Sequence, residues 1–303
     1  MKNIKAKRRK FNKQDLLSWL VLLPSILIFA FFIWMPLIDN VILSFFSTKG
    51  YAKQSFIGFQ NYQAILSNPL FGSALKNTLM YTFWSLVIGF FIPIILAVLV
   101  SEAVHFRGFF KASLYVPNIV PGIAAVTMWK EMMDPNPYGF FNIILQKMGL
   151  GTSMWLSNPN ASIPLIILTM TWKGAGATML IYLASIQTID PVQYEVARLE
   201  GAGFWQRIRY ITIPSLMTNI KLLLIMQIIS VFQVFYEPYV LTGGGPNNRT
   251  LSLTQLIYRL GFDSSNLENY AGQSAALGVI VSLFLLLFTA VYLYAGRERK
   301  EVR

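Results

Sequence analysis

Side chains that do covalent or metal chemistry are scarce in this sequence of 303 residues, which holds no cysteine and one histidine, His105. Thiolate nucleophiles, disulfides and His- or Cys-based zinc sites are thereby excluded, because zinc takes three or four such ligands; no metal site is assigned. No Ser-His, Cys-His or paired intramembrane carboxylate constellation is readable, so no catalytic residue is assigned either. The glycine cluster Gly243-Gly244-Gly245-Pro246 lacks the Gly-Lys-Ser/Thr ending that cradles phosphate, so the chain cannot hydrolyse ATP alone. What remains is recognition chemistry. Lys173 sits in an apolar stretch, within Trp172-Lys-Gly-Ala-Gly176, and a charged loop follows it from Asp190 to Pro214.

The elements that carry these residues follow from composition. With 55% hydrophobic and 13% charged residues, the chain falls well below the quarter of charged residues usual in soluble domains. A helix needs about 20 apolar residues to cross a bilayer. Uncharged stretches of that order lie between Asp15 and Asp39, Lys76 and Glu102, Lys111 and Lys130, and Glu268 and Arg297. Two more, about 162–189 and 216–241, contain or abut single charges. The expectation is an all-α integral membrane protein of six transmembrane helices: a basic N-terminus at 1–15, one helical domain at 16–296 and a short C-terminus at 297–303. The first stretch is too long for a usual signal peptide and no small-residue cleavage site follows it, so it reads as a retained helix.

Six spans put both termini on one side, and the loops of that side hold 17 of the 25 Lys and Arg. The positive-inside rule makes that side cytoplasmic. The net charge of +12 is then explained by the lipid bilayer, without nucleic acid. The opposite loops, about 47–76, 131–161 and 242–272, are rich in Asn, Pro, Gly and Ser and suit contact surfaces better than folded modules.

The 190–214 loop opens with a helix start: Asp190 caps, Pro191 takes the first position, and Gln193 falls where a capping-box partner reaches back. Gly201 ends that helix. Phe204, Ile208 and Ile211 then give a second short amphipathic helix, and Pro214 separates it from the fifth span.

Within this helix-turn-helix, Glu195, Ala197, Gly201, Ala202, Gln206, Ile211 and Pro214 resemble, at matching spacing, the EAA loop of membrane-spanning permease subunits of binding-protein-dependent ABC importers. Tyr239-Val-Leu-Thr-Gly-Gly-Gly-Pro-Asn-Asn resembles carbohydrate-uptake permeases of the maltose and glycerol-phosphate type. The resemblance covers about residues 15–297 and implies a type I ABC importer permease fold. It also implies a second homologous permease, two cytoplasmic ATPase subunits that bind ATP and Mg, and an extracytoplasmic solute-binding protein. This chain itself would hold no cofactor. The coupling residues carried over are Glu195, Ala197, Glu200, Gly201, Ala202 and Gln206. Val196 stands where a second Ala is usual and Glu200 where Asp is usual. Gly243, Gly244, Gly245 and Pro246 would contact the binding protein or gate the outer mouth, or serve simply as a flexible turn.

Gln227, Ser230, Val231 and Val234 fall at i, i+3, i+4, i+7 and would share one helix face. With Lys173, Gly174 and Ala177 they would line the substrate pathway of a sugar permease of this resemblance. An ammonium facing that pathway would favour an anionic saccharide; pairing of Lys173 with Glu237 or a partner's carboxylate is the other reading. An ion-coupled secondary transporter is the alternative function, although internal repeats and intramembrane carboxylates expected of one are not evident.

Overall fold

A computed structural model describes residues 13–103, 105–263 and 270–297. The basic run Lys2, Lys5, Lys7, Arg8, Arg9 and Lys10, and the C-terminal Arg299, Lys300 and Arg303, lie outside the described residues.

The chain begins with α1 (Lys13–Phe29), a π-helical turn at Ala30–Trp34, and α2 (Met35–Leu43). Together they give an apolar helix at Trp19–Leu43 that runs beyond Asp39. A hairpin of β1 (Phe46–Lys49) and β2 (Ala52–Phe56) follows. Among the described residues the fold is therefore helical apart from two strands, in a segment read from sequence as loop. After α3 (Gln60–Leu66), Asn68 caps α4 (Pro69–Trp84) by accepting from the Leu70 N–H at 2.9 Å. A second π-turn, Ser85–Gly89, leads into α5 (Phe91–Glu102).

The third span is not one straight helix. It is a bent pair, α6 (Arg107–Ile119) and α7 (Gly122–Met132), meeting at 92°. Pro121 explains the break: its ring disfavours a helical Val120, which takes ψ 130° instead. Among the described residues five helices are long and apolar enough to cross a membrane, and six spans result if the bent pair counts as one.

Beyond α8 (Phe140–Lys147), α9 (Ser162–Ile186) is the central helix, and α10 (Pro191–Leu199) and α11 (Phe204–Arg207) form the 190–214 loop. A π-turn at Ile208–Thr212 joins α11 to α12 (Ile213–Phe232), so the apolar helix is continuous over Phe204–Phe232. Pro214 therefore does not separate the loop's second arm from the fifth span. It occupies the first turn of α12, where the Ser215 hydroxyl adds a hydrogen bond to the Ile211 carbonyl at 2.7 Å. The fifth span also stops earlier than 241. The last elements are α13 (Tyr236–Thr242), α14 (Leu253–Tyr258) and α15 (Tyr270–Arg297).

Lipid tails give no hydrophobic drive between helices, so close approach at small residues matters. Gly176 on α9 shows this most sharply: a Cβ there would lie 2.1 Å from the Leu114 carbonyl oxygen of α6. Backbone cannot yield to that as a side chain can. Gly176→Val is expected to lose about 2 kcal/mol or more, seen as a lowered unfolding temperature in detergent; an unchanged transition would refute the α6–α9 contact.

Candidate functional site

Two regions at different depths of the bundle concentrate the polar features. The first is the 190–214 loop. Asp190 Oδ1 accepts from the Val192 N–H at 2.9 Å and Pro191 occupies the first turn, which together start α10. The helix ends because Gly201 takes φ +79°, a left-handed backbone that favours glycine. That turn brings the Ala202 N–H to the Ala197 carbonyl at 2.8 Å. Gln206 Oε1 then accepts from the Gly203 N–H at 2.7 Å, fixing the start of α11. The two arms are tied again by a 2.9 Å hydrogen bond between the Tyr194 and Thr212 hydroxyls.

Glu195, Glu200 and Gly201 are exposed; Ala197 and Ala202 are half-buried. Val192, Val196 and Leu199, at i, i+4 and i+7, are also exposed, Leu199 to 88%. Trp205 and Tyr210 follow at 77% and 70%. The loop thus presents an apolar surface studded with Glu195, Arg198, Glu200 and Arg209 away from its own fold.

The second region is a cavity of about 320 Å³ between α4–α5, α9 and α12, at the lower end of the usual 300–1,000 Å³ for small-molecule pockets. Gly174, Gln227, Ser230 and Val231 line it; Lys173, Ala177 and Val234 do not. Val234 cannot share the face expected of it because α12 ends at Phe232, and its side chain is buried in an apolar cluster with Tyr81, Val126 and Ile166. Lys173 points elsewhere. Its Cε lies 3.9 Å from the Cβ position of Gly122, at the bend of the third span, where a Tyr236 ring carbon approaches to 3.7 Å. Tyr236 is the residue before Glu237 in α13.

Lining residues that sequence reasoning missed are Ser85, Gly89, Thr171 and Thr178. Gln227 Nε2 donates to the Ser85 carbonyl at 3.3 Å across the helix pair. A Cβ at Gly89 would lie 2.6 Å from that amide nitrogen and 3.2 Å from Thr171 Oγ1. Ser85–Gly89 is a π-turn, a distortion frequent at functional sites. Only a lone serine and glycine in an apolar run marked it in the sequence. None of the lining side chains is charged, so the cavity can offer hydrogen bonds and apolar walls.

At the far end of α12 from the loop, the Gly243–Pro246 turn is tightly held. Arg259 donates to the Gly243 carbonyl and, at 3.0 Å, to Asn248 Oδ1. The Thr250 hydroxyl donates to the Gly245 carbonyl at 2.7 Å. With Lys130, Ser157 and Tyr239, Gly243, Gly245 and Pro246 line a shallow cleft.

Residues 14–300 match the family of binding-protein-dependent transport system inner membrane components. The chain is 32% identical to the arabinooligosaccharides transport system permease protein AraP of Bacillus subtilis (strain 168), over 94% of this chain and 90% of that one. A crystal structure of a bacterial ABC transporter involved in import of the acidic polysaccharide alginate holds a chain 28% identical to it. That chain superposes with a TM-score of 0.84, covering 94% of this chain and 96% of the other. The bacterial alginate ABC transporter in complex with an alginate pentasaccharide-bound periplasmic protein gives a TM-score of 0.83 at 28% identity and the same coverage.

Proposed function

The chain belongs to the family of binding-protein-dependent transport system inner membrane components, and on that premise we propose that it forms half of the translocation pathway of an ATP-driven saccharide importer. Its fold is that of a type I ABC importer permease, a multi-pass inner-membrane subunit. A second, homologous permease completes the pathway and an extracytoplasmic solute-binding protein delivers the cargo. The 190–214 loop docks on a cytoplasmic ATPase subunit, which holds the ATP and Mg. Both termini are cytoplasmic on this reading.

The exposed α10 surface carries the proposal. Val192, Val196 and Leu199 beside Glu195 have no use within this fold, and apolar side chains flanking an acid suit a protein partner better than water. The cavity supports the cargo class: uncharged Thr171, Gln227 and Ser230 among apolar walls match the alternating hydroxyl and C–H faces of a saccharide. Because no charge lines it, selection of acidic cargo by Lys173 has no support from its geometry. The Gly243–Pro246 turn is assigned to the outer face, against the binding protein or as part of the outer gate.

Co-purification of the tagged chain in mild detergent tests the assembly. A second permease and an ATPase subunit are expected with it, and uptake in liposomes requires ATP. A chain that purifies alone and transports without ATP would instead be the ion-coupled secondary transporter. Gly89→Ala tests the cavity. The added methyl would displace the flexible Gln227 amide from 2.6 Å, and saccharide uptake should weaken about tenfold through one lost polar contact, chiefly in the concentration for half-maximal rate. Unaltered uptake would remove this cavity from the pathway.

A further inference from the structure

One ion pair ties the loop to α5, the helix whose other end leads to the cavity. Arg207, at the end of α11, donates from Nη2 to Glu102 Oε2 at 3.3 Å and from Nη1 to the Ala202 carbonyl at 3.2 Å. Glu102 is the last residue of α5, 105 positions away in sequence. The two side chains are only 14% and 31% exposed. Arg107 closes the other side, donating from Nε to the Val100 carbonyl at 3.0 Å and from Nη2 to the Ser101 carbonyl at 2.7 Å. The open carbonyl end of α5 is thereby satisfied by an arginine, as helix C-termini favour. Each arginine thus has its own helix end to hold, and Arg207 alone of the two also bridges to a carboxylate.

The same junction is apolar beneath. Ile94, Val98 and Val100 of α5 belong to a buried cluster against which Phe204, Ile208 and Ile213 pack. At the other end of α5, about 18 Å away at 1.5 Å per residue, the chain enters the Ser85–Gly89 turn that walls the cavity and holds Gln227.

We propose that Arg207 is a positioning residue that transmits movement of the 190–214 loop, through Glu102 and α5, to the Ser85–Gly89 wall of the cavity. The proposal rests on the coupling role assigned to that loop. Apolar packing alone allows helices to slide past one another. A half-buried ion pair fixes their register, because separating it leaves two partly desolvated charges without partners. Displacement of the loop by an ATPase subunit therefore pulls α5 with it, and the cavity wall follows.

The test uses the complete importer, with its partner permease, ATPase and binding protein, in proteoliposomes. Arg207→Glu, Glu102→Arg and the double charge swap are compared with wild type, and Arg207→Gln substitutes if a single reversal fails to insert. Glu102→Arg, whose site lies on α5 outside the docking loop, is expected to retain the ATPase subunit and its basal hydrolysis. Stimulation by the loaded binding protein, and uptake, should fall about tenfold, and the swap should recover both to within about threefold, as coupled neighbours do. A purely structural pair would lower assembly and basal hydrolysis together. Wild-type stimulation in the singles, no recovery in the swap, or loss of the ATPase subunit from Glu102→Arg would each overturn the transmission role. Failure of the underlying coupling reading is separately visible, as a wild-type chain that carries saccharide without any ATPase subunit.

Discussion

Gly201→Val is expected to abolish ATP-driven uptake, by about thirtyfold or more if one interface hot spot is lost, while the chain still inserts and binds its partner permease. The argument is conformational rather than steric. A Cβ at Gly201 meets nothing within 4 Å, but the backbone stands at φ +79°. A left-handed residue with a side chain costs about 1–2 kcal/mol, and a β-branched one is the worst case. Relief of that strain flips the turn, which breaks the 2.8 Å bond from the Ala202 N–H to the Ala197 carbonyl and swings α11 away from α10. The docking surface made by Glu195, Val196 and Leu199 on one arm and Trp205 on the other is then split. Gly201→Asn, which tolerates the left-handed region, should keep most activity, and Gly201→Ala should fall between. Glu195→Lys separates shape from charge: its side chain is exposed, so the fold stays and only ATPase co-purification is lost. Retention of both the ATPase and uptake in Gly201→Val would sink the coupling assignment.

That loop was legible from sequence because its signals are local. Capping by Asp190, proline in the first turn and a glycine at the stop act within a few residues, and the structure places each where the spacing predicted. Elements set by longer-range forces were harder to read. Pro121 falls in the middle of the third span and Pro214 near the start of the fifth, yet the first breaks its helix by 92° and the second sits inside a continuous one. The difference lies in the neighbouring backbone: the π-turn at Ile208–Thr212 absorbs Pro214, whereas Val120 has no such relief. The early end of α12 at Phe232 also removed Val234 from the face that helical phase gave it, although Gln227, Ser230 and Val231 kept theirs. Ser85 and Thr171 escaped notice because a hydroxyl can satisfy itself on its own helix, as Thr171 does on the Ile167 carbonyl at 2.7 Å. Polarity of that kind carries no periodic signal.

Lys173→Met is expected to reduce uptake of neutral and acidic saccharides equally, and Glu237→Gln in the same chain is expected to restore it. An intramembrane lysine first suggests a cargo-facing charge, but the cavity is lined by Gly174 and not by its neighbour Lys173. The ammonium stem runs instead to the bend of the third span at Gly122, beside Tyr236, the residue that precedes Glu237. It lies where α9, α7 and α13 meet, elements that also share the buried cluster of Val126, Ile166 and Leu241. Lys173 and Glu237 form no direct ion pair; those found among the described residues are Lys53–Asp39 and Arg207–Glu102. Their attraction acts through space. Removing one charge leaves the other uncompensated in a setting where a lone charge costs about 2.5–3.5 kcal/mol at the bilayer centre, so each single variant should lower the amount of assembled importer markedly. The double variant removes both charges and should recover most of it, a coupling of about 1–2 kcal/mol in a double-mutant cycle. Measured with one neutral and one acidic oligosaccharide, the cycle also judges the other assignment. A loss confined to the acidic cargo, unrelieved by Glu237→Gln, would mean that Lys173 meets substrate in some state of the transport cycle and that its role at the bend is secondary.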